Sequence, residues 1–116
     1  MGAFALATVV TVHFPFSDLS NSKLRPAVLL ATVGRGDMIL LQVTSKSYAD
    51  PLAVRLDATD FVTGGLERES FVRPTKIFTA NASIIHRSIG TLTETSYQRV
   101  RAAVIDMLAD ATYSAP

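Results

Sequence analysis

Apolar and polar positions alternate along residues 7–14. Val10, Val12 and Phe14 fall on one face and Val9, Thr11 and His13 on the other, and the β-branched content predicts a strand. Residues 15–24 are rich in turn formers and polar side chains and predict an exposed loop. Residues 26–33 are nearly all apolar, as in a strand buried on both faces, and 38–45 form a second such run. The Gly34-Arg35-Gly36-Asp37 turn between them predicts a hairpin. Residues 46–50 predict a polar loop, and 52–57 alternate again with Leu52, Val54 and Leu56 inward. Gly64-Gly65 punctuates the next stretch, and 70–73, 76–79 and 83–89 are short strand candidates. After Gly90 the period changes: Tyr97, Val100, Val104, Leu108 and Ala111 recur at helical spacing, with Thr93 as N-cap and Glu94 in the first turn. Several short strands and one C-terminal helix predict a mainly β chain, a small barrel capped by a helix.

The chain has 116 residues, the size of one domain, and no repeat or linker divides it, so 1–116 is expected to be a single unit. Its formal charge is only +1, so any basic site must be local. The absence of cysteine excludes disulfides, thiolate metal sites and thiol nucleophiles. With only His13 and His86, a multi-histidine metal site would need help from carboxylates or a second chain; no metal or cofactor is expected. Apolar runs reach about half the length of a membrane span. No Lys or Arg precedes Lys23 as a signal peptide would require, so a cytoplasmic protein without membrane attachment is expected.

Three groups of residues carry candidate chemistry. Arg25 stands where the polar loop meets a buried strand, with Pro26 fixing the backbone after it, and its planar fork of donors suits a phosphate. Thr44, Ser45 and Lys46 end the strand that pairs with it. The hairpin turn centres near Arg35 and Gly36, which puts Arg25 within one or two cross-strand positions of Thr44 or Ser45. His13 lies near the same rim, whereas His86 belongs to a strand distant in sequence. Each histidine reads as a half-buried strand residue making a hydrogen bond, and the carboxylates Asp57, Asp60, Glu67 and Glu69 are scattered around turns without forming a dyad. Phosphate loops, dinucleotide fingerprints and nucleophile elbows are missing.

The segments Phe14-Pro15-Phe16-Ser17-Asp18-Leu19 and Ser22-Lys23-Leu24-Arg25-Pro26-Ala27-Val28-Leu29 resemble the opening signature of the MazF/PemK toxins. Ile39-Leu40-Leu41-Gln42-Val43-Thr44-Ser45-Lys46 is similar to their second motif. Asp60-Phe61 with Gly64-Gly65-Leu66, then the run from Ser70 to Thr79, is similar to the third, and Ile89-Gly90-Thr91-Leu92 completes the match. The resemblance spans about residues 7–108. It implies an SH3-like barrel of the MazF/CcdB/Kid type, forming a homodimer and acting as the toxin of a type II toxin–antitoxin pair. The implied activity is metal-independent cleavage of single-stranded RNA to 2′,3′-cyclic phosphate and 5′-hydroxyl ends, with a cognate antitoxin as partner. The family's catalytic Arg and Thr fall on Arg25 and Thr44. Lys23, Ser45, Lys46, Phe16 and His13 are the expected substrate-binding residues, with Lys76 and Arg87 as further phosphate contacts; Phe14 reads as core. The family casts its Arg also as proton carrier. Arg scarcely deprotonates in proteins, so His13, Asp18 or a water are open alternatives. One departure stands at the site region: Ala7-Thr8 replaces the family's usual Gly-Asp pair. Two other readings are a gyrase-directed toxin on the same fold and an inactive RNA-binding relative.

Overall fold

Among the residues described by the computed structural model, 4–15 and 22–116, seven strands and one α-helix form. They are β1 (Thr8–Pro15), β2 (Ser22–Gly34), β3 (Asp37–Thr44), β4 (Val54–Leu56), β5 (Phe61–Gly64), β6 (Ser70–Asn81), β7 (Ile85–Leu92) and α1 (Glu94–Ala109). All strand pairings are antiparallel, in one sheet of order β4-β6-β3-β2-β1-β7-β5. The link from β5 to β6 forces that sheet to curl. These strands stand five intervals apart, about 24 Å in a flat sheet. Residues 65–69 between them reach at most about 22 Å when fully extended. The result is a curled half-barrel, the mainly β architecture with one C-terminal helix that the sequence predicts.

Glycine permits the close approach along the β5–β7 seam. Gly64 has φ 65°, and a Cβ there would lie 2.2 Å from the Ile89 carbonyl oxygen. A Cβ on Gly90 would lie 2.9 Å from the Gly65 nitrogen, while the Gly65 amide donates to Ile89 at 3.1 Å.

Each face of the sheet carries its own core. On one, Val9, Val28, Leu41, Val43, Leu56, Val72 and Leu92 pack with Val100 and Val104 of α1, and the Tyr97 hydroxyl donates to the Leu30 carbonyl at 2.7 Å. On the other, Val10, Val12, Ala27, Leu29, Met38, Leu40 and Ala80 are buried, with Phe14 edge-on against Phe78 at 4.8 Å. Phe14 is therefore half-buried and packed against this core. Thr93 caps α1 as expected, its Oγ1 accepting from the Ser96 amide at 3.1 Å.

The structure departs from the sequence pattern at five places. β2 begins at Ser22 rather than near Pro26, because Lys23, Leu24 and Arg25 pair with Phe14, His13 and Val12 of β1. Leu52 is exposed: Asp50 forms a turn, accepting from the Leu52 amide on Oδ1 and from the Ala53 amide on its carbonyl, and this delays the strand to Val54. The two strands expected over 70–73 and 76–79 are one strand, β6. Its register against β3 shifts between Leu41↔Ile77 and Val43↔Val72, so Pro74 sits in a bulge that needs no ladder donor. Asn81 caps a 3-10 turn at Ala82–Ile84, and β7 starts only at Ile85. The helix ends at Ala109, leaving Leu108 and Ala111 exposed.

Two buried carboxylates tie loops to this frame. Asp60 ends a 3-10 turn (Ala58–Asp60) and accepts from the Asp57 amide at 2.8 Å, Ser96 Oγ at 2.6 Å and Arg99 at 3.2 Å. Asp50 accepts from the amide and hydroxyl of Thr75 and pairs with Arg73 Nε at 3.7 Å, while Arg73 also reaches Gln42. Burial pushes both carboxyls up, but these donors outweigh it and hold both below the ordinary range. A depressed pKa contributes stability that is complete above the unfolded value, about 4, and is lost as pH falls through the folded value. Urea unfolding is expected to give constant stability from neutral pH to about pH 5, falling below about pH 4, with a shallower fall in Asp60→Asn.

Ala7, where the resemblance expects glycine, has φ 72°, in the left-handed region, and its backbone bonds both Leu29 and Leu92. That conformation costs an L-residue about 1–2 kcal/mol. Glycine would relieve it but forfeit a buried methyl worth about 0.8 kcal/mol and gain unfolded-state freedom. Ala7→Gly is thus expected to stay within about 1 kcal/mol of wild type in thermal melts, whereas the β-branched Ala7→Val loses about 2 kcal/mol.

Candidate RNA-binding cleft

The hairpin register brings the first two candidate groups together. Ala27 pairs with Gln42 at the end of the β2–β3 ladder, and just beyond it Arg25 of β2 and Thr44 of β3 line the same cleft. On the other side of β2, Thr11 stands between Pro26 and Arg87 in the β2–β1–β7 row. The 65–69 link closes the arrangement, and a cleft of about 860 Å³ opens between these elements. Its lining includes Thr11, Lys23, Arg25, Pro26, Thr44, Ser45, Lys46, Glu67, Arg68, Ser70, Arg87 and Ser88.

Charge in this cleft differs sharply from that of the whole chain. Lys23, Arg25, Lys46, Arg68 and Arg87 contribute five positive charges against one negative charge from Glu67, a local +4 on a chain of formal charge +1. Arg55, Arg73 and Arg99, by contrast, are each engaged with a carboxylate elsewhere: Glu69 and Asp57, Asp50, and Asp60. The five cleft cations make no side-chain hydrogen bond or ion pair with the described residues, so their donors are open to a ligand. Low-dielectric walls of Pro26, Val43, Leu66 and Ile89 would focus that field.

Thr44 is prepared as a donor. Its Oγ1 accepts from the Lys46 amide at 3.2 Å, which leaves the hydroxyl proton for an acceptor in the cleft. A half-buried guanidinium in the same cleft as such a hydroxyl can hold the non-bridging oxygens of a phosphodiester.

The structure thus brings Lys23, Arg25, Thr44, Ser45, Lys46 and Arg87 to one cleft. Lys76 lies on β6 outside its lining, and Phe16 and Asp18 lie outside the described residues. His13 is exposed beside the cleft without lining it. Its ring meets that of His86 edge-on at 5.9 Å, and Thr11 Oγ1 lies 3.3 Å from His86 Nδ1. The histidines are neighbours because β7 returns antiparallel alongside β1, a pairing between residues some 75 apart. Sequence reading missed Thr11, Glu67 and Arg68 as cleft residues. For the last two, the signal was the Gly64-Gly65 pair, which fixes where the link crosses.

Among the described residues, no group of three or more His, Asp or Glu side chains could hold a metal ion, and no helix is long and apolar enough to cross a membrane.

Residues 7–108 match the family of PemK-like, MazF-like toxins of type II toxin–antitoxin systems. The chain belongs to that family. Among solved structures, MazE–MazF from Deinococcus radiodurans superposes with a TM-score of 0.72 at 19% identity, covering 94% of this chain and 98% of that one. An endoribonuclease in complex with its cognate antitoxin from a mycobacterial species gives 0.70 at 16% identity, over 94% and 96%. Mycobacterium tuberculosis toxin MazF-mt6 gives 0.64 at 18%, over 90% and 99%. No curated protein matches. At these identities the likeness is one of fold, and this MazF-like chain shares that fold over nearly its whole length.

Because the cleft cations hold no side-chain partner among the described residues, removing them should leave the fold intact. Arg25→Ala, Lys46→Ala and Arg87→Ala are each expected to change unfolding free energy by less than about 0.5 kcal/mol. Arg99→Ala, which abandons Asp60 and the Arg55 carbonyl, is expected to cost about 1 kcal/mol or more.

Proposed function

We propose that this MazF-like toxin is a metal-independent endoribonuclease that cleaves single-stranded RNA through attack of the substrate's own 2′-hydroxyl. The observation that carries the reading is the cleft lined by Arg25, Thr44 and four further cations, all five cations without a side-chain partner among the described residues. RNA brings its nucleophile with it, so a protein accelerates cleavage by setting that oxygen in line with the phosphorus and stabilising charge on the phosphorane. Arg25 supplies the charge, donating to the non-bridging oxygens. Thr44 and Ser45 fix the scissile phosphate by hydroxyl donation, and Lys23, Lys46 and Arg87 hold flanking phosphates. The products are a 2′,3′-cyclic phosphate and a 5′-hydroxyl. Single strands are the expected substrate because their bases are free to splay and stack.

Family membership and the endoribonuclease and MazE–MazF neighbours support the same reading. An antitoxin with an acidic, disordered segment would meet the same cations and so compete with RNA. The toxin is proposed to act in the cytoplasm as a homodimer. Loss of the Gly-Asp pair does not remove the turn that precedes β1, since Ala7 adopts the left-handed conformation itself. This favours an active enzyme over an inactive relative.

The decisive experiment is cleavage of a mixed-sequence single-stranded RNA in EDTA. Wild type is expected to yield cyclic phosphate ends, and Arg25→Ala to lose about 100- to 1,000-fold in rate. Well-folded toxin, free of antitoxin, that binds RNA without cleaving it overturns the ribonuclease reading.

A further inference from the structure

The proposed reaction needs a group to accept the 2′-hydroxyl proton, and Arg25 is a poor one because guanidinium scarcely deprotonates. Among the described residues lining the cleft, Arg and Lys are hydrogen-bond donors and not acceptors, and the serines and threonines are weak bases. No imidazole lines it; His13 and His86 lie beside it. One Brønsted base remains, the carboxylate of Glu67.

Its placement is built into the fold. Gly64 and Gly65 press β5 against β7 and fix where the five-residue link crosses to β6, with Glu67 at its centre. Glu67 makes no hydrogen bond or ion pair with the described residues, whereas Glu69, two positions on, pairs with Arg55 away from the cleft. On a surface that gathers phosphates, a carboxylate opposes binding. A carboxylate without a partner among the described residues, placed there by a glycine-fixed link, calls for a use other than affinity.

We propose that Glu67 is the general base of the cleavage reaction, which rests on the ribonuclease reading above. Its carboxylate takes the proton as the 2′-oxygen–hydrogen bond breaks. The oxygen's electron pair forms the new bond to phosphorus, and the bond from phosphorus to the 5′-oxygen breaks. That leaving oxygen takes a proton from water, and Glu67 returns its own to solvent. Lys23, Arg25, Lys46, Arg68 and Arg87 are the charged groups that share the cleft with it.

The test compares wild type, Glu67→Gln and Glu69→Gln in single-turnover cleavage of the RNA across pH, alongside binding of the same RNA carrying a 2′-deoxy nucleotide at the cleaved position. Glu67→Gln is expected to slow cleavage about 100- to 10,000-fold. It should also abolish the rise of rate with pH on the acid limb, and bind the deoxy analogue at least as tightly as wild type. Glu69→Gln should keep both rate and profile. A Glu67→Gln rate within about three-fold of wild type, an unchanged acid limb, or a rate loss explained by weakened binding overturns the proposal while leaving the ribonuclease reading in place. Wild-type protein that fails to cleave overturns both.

Discussion

The rest of the structure depends on a short connection. Five residues must carry the chain from β5 at one edge of the sheet to β6 near the other, and they cannot reach unless the sheet bends. Right-handed strand twist favours such coiling, and the link fixes its extent. The bend separates the apolar side chains into two cores, one closed by α1 and the other by Phe14 and Phe78. It also brings the end of β3 and the start of β2 toward β7 and the link itself, which is why a cleft opens there. The contact that sets the closing distance is backbone against backbone, Gly64 against Ile89 and Gly90, where a methyl on Gly64 or Gly90 has no room.

Polar groups divide into two populations that serve different ends. Asp50, Asp60, Arg73 and Arg99 are engaged with one another and with amides, and they hold the 50–60 segment to β6 and the helix. Breaking one side of such a set strands a buried charge. Among the described residues the cleft cations have no such partners. A cluster of like charges without counterions costs the folded state some self-repulsion, a cost that an anionic ligand removes on binding. The ion pairs that brace the frame are therefore made by side chains other than the cations that line the cleft.

What was legible in the sequence follows from range. The hairpin register, read from a tight turn and two apolar runs, put Arg25 within one or two cross-strand positions of Thr44 or Ser45, and all three line one cleft, because contacts across a two-strand turn are local. The Thr93 cap and the Val100 and Val104 stripe are local in the same sense. Contacts between distant segments were hidden. β6 looked like two strands because Pro74 interrupts its pattern, and only the register shift against β3 shows how the strand passes through. Leu52 looked inward because its alternation with Val54 hid the turn that Asp50 makes with its own side chain. The histidines looked remote because nothing in a single strand's pattern reveals that β7 returns beside β1.

The same reasoning accounts for a fold kept at 16–19% identity to its structural neighbours. A curled sheet of this order asks for apolar side chains at alternating positions, which many residues satisfy, and for a few places where the backbone itself is constrained. At residue 7 the constraint is a left-handed turn, and it is met here by alanine in place of the residue that suits it best. Ala7 stays buried and bonded to both Leu29 and Leu92, so the strain falls on one residue while β1 keeps its path between β2 and β7. Thr11 therefore remains in the row between Pro26 and Arg87, and the cleft keeps its shape. A backbone requirement thus outlives the side chain that usually meets it, so the loss of a signature glycine says less about function than the geometry it served.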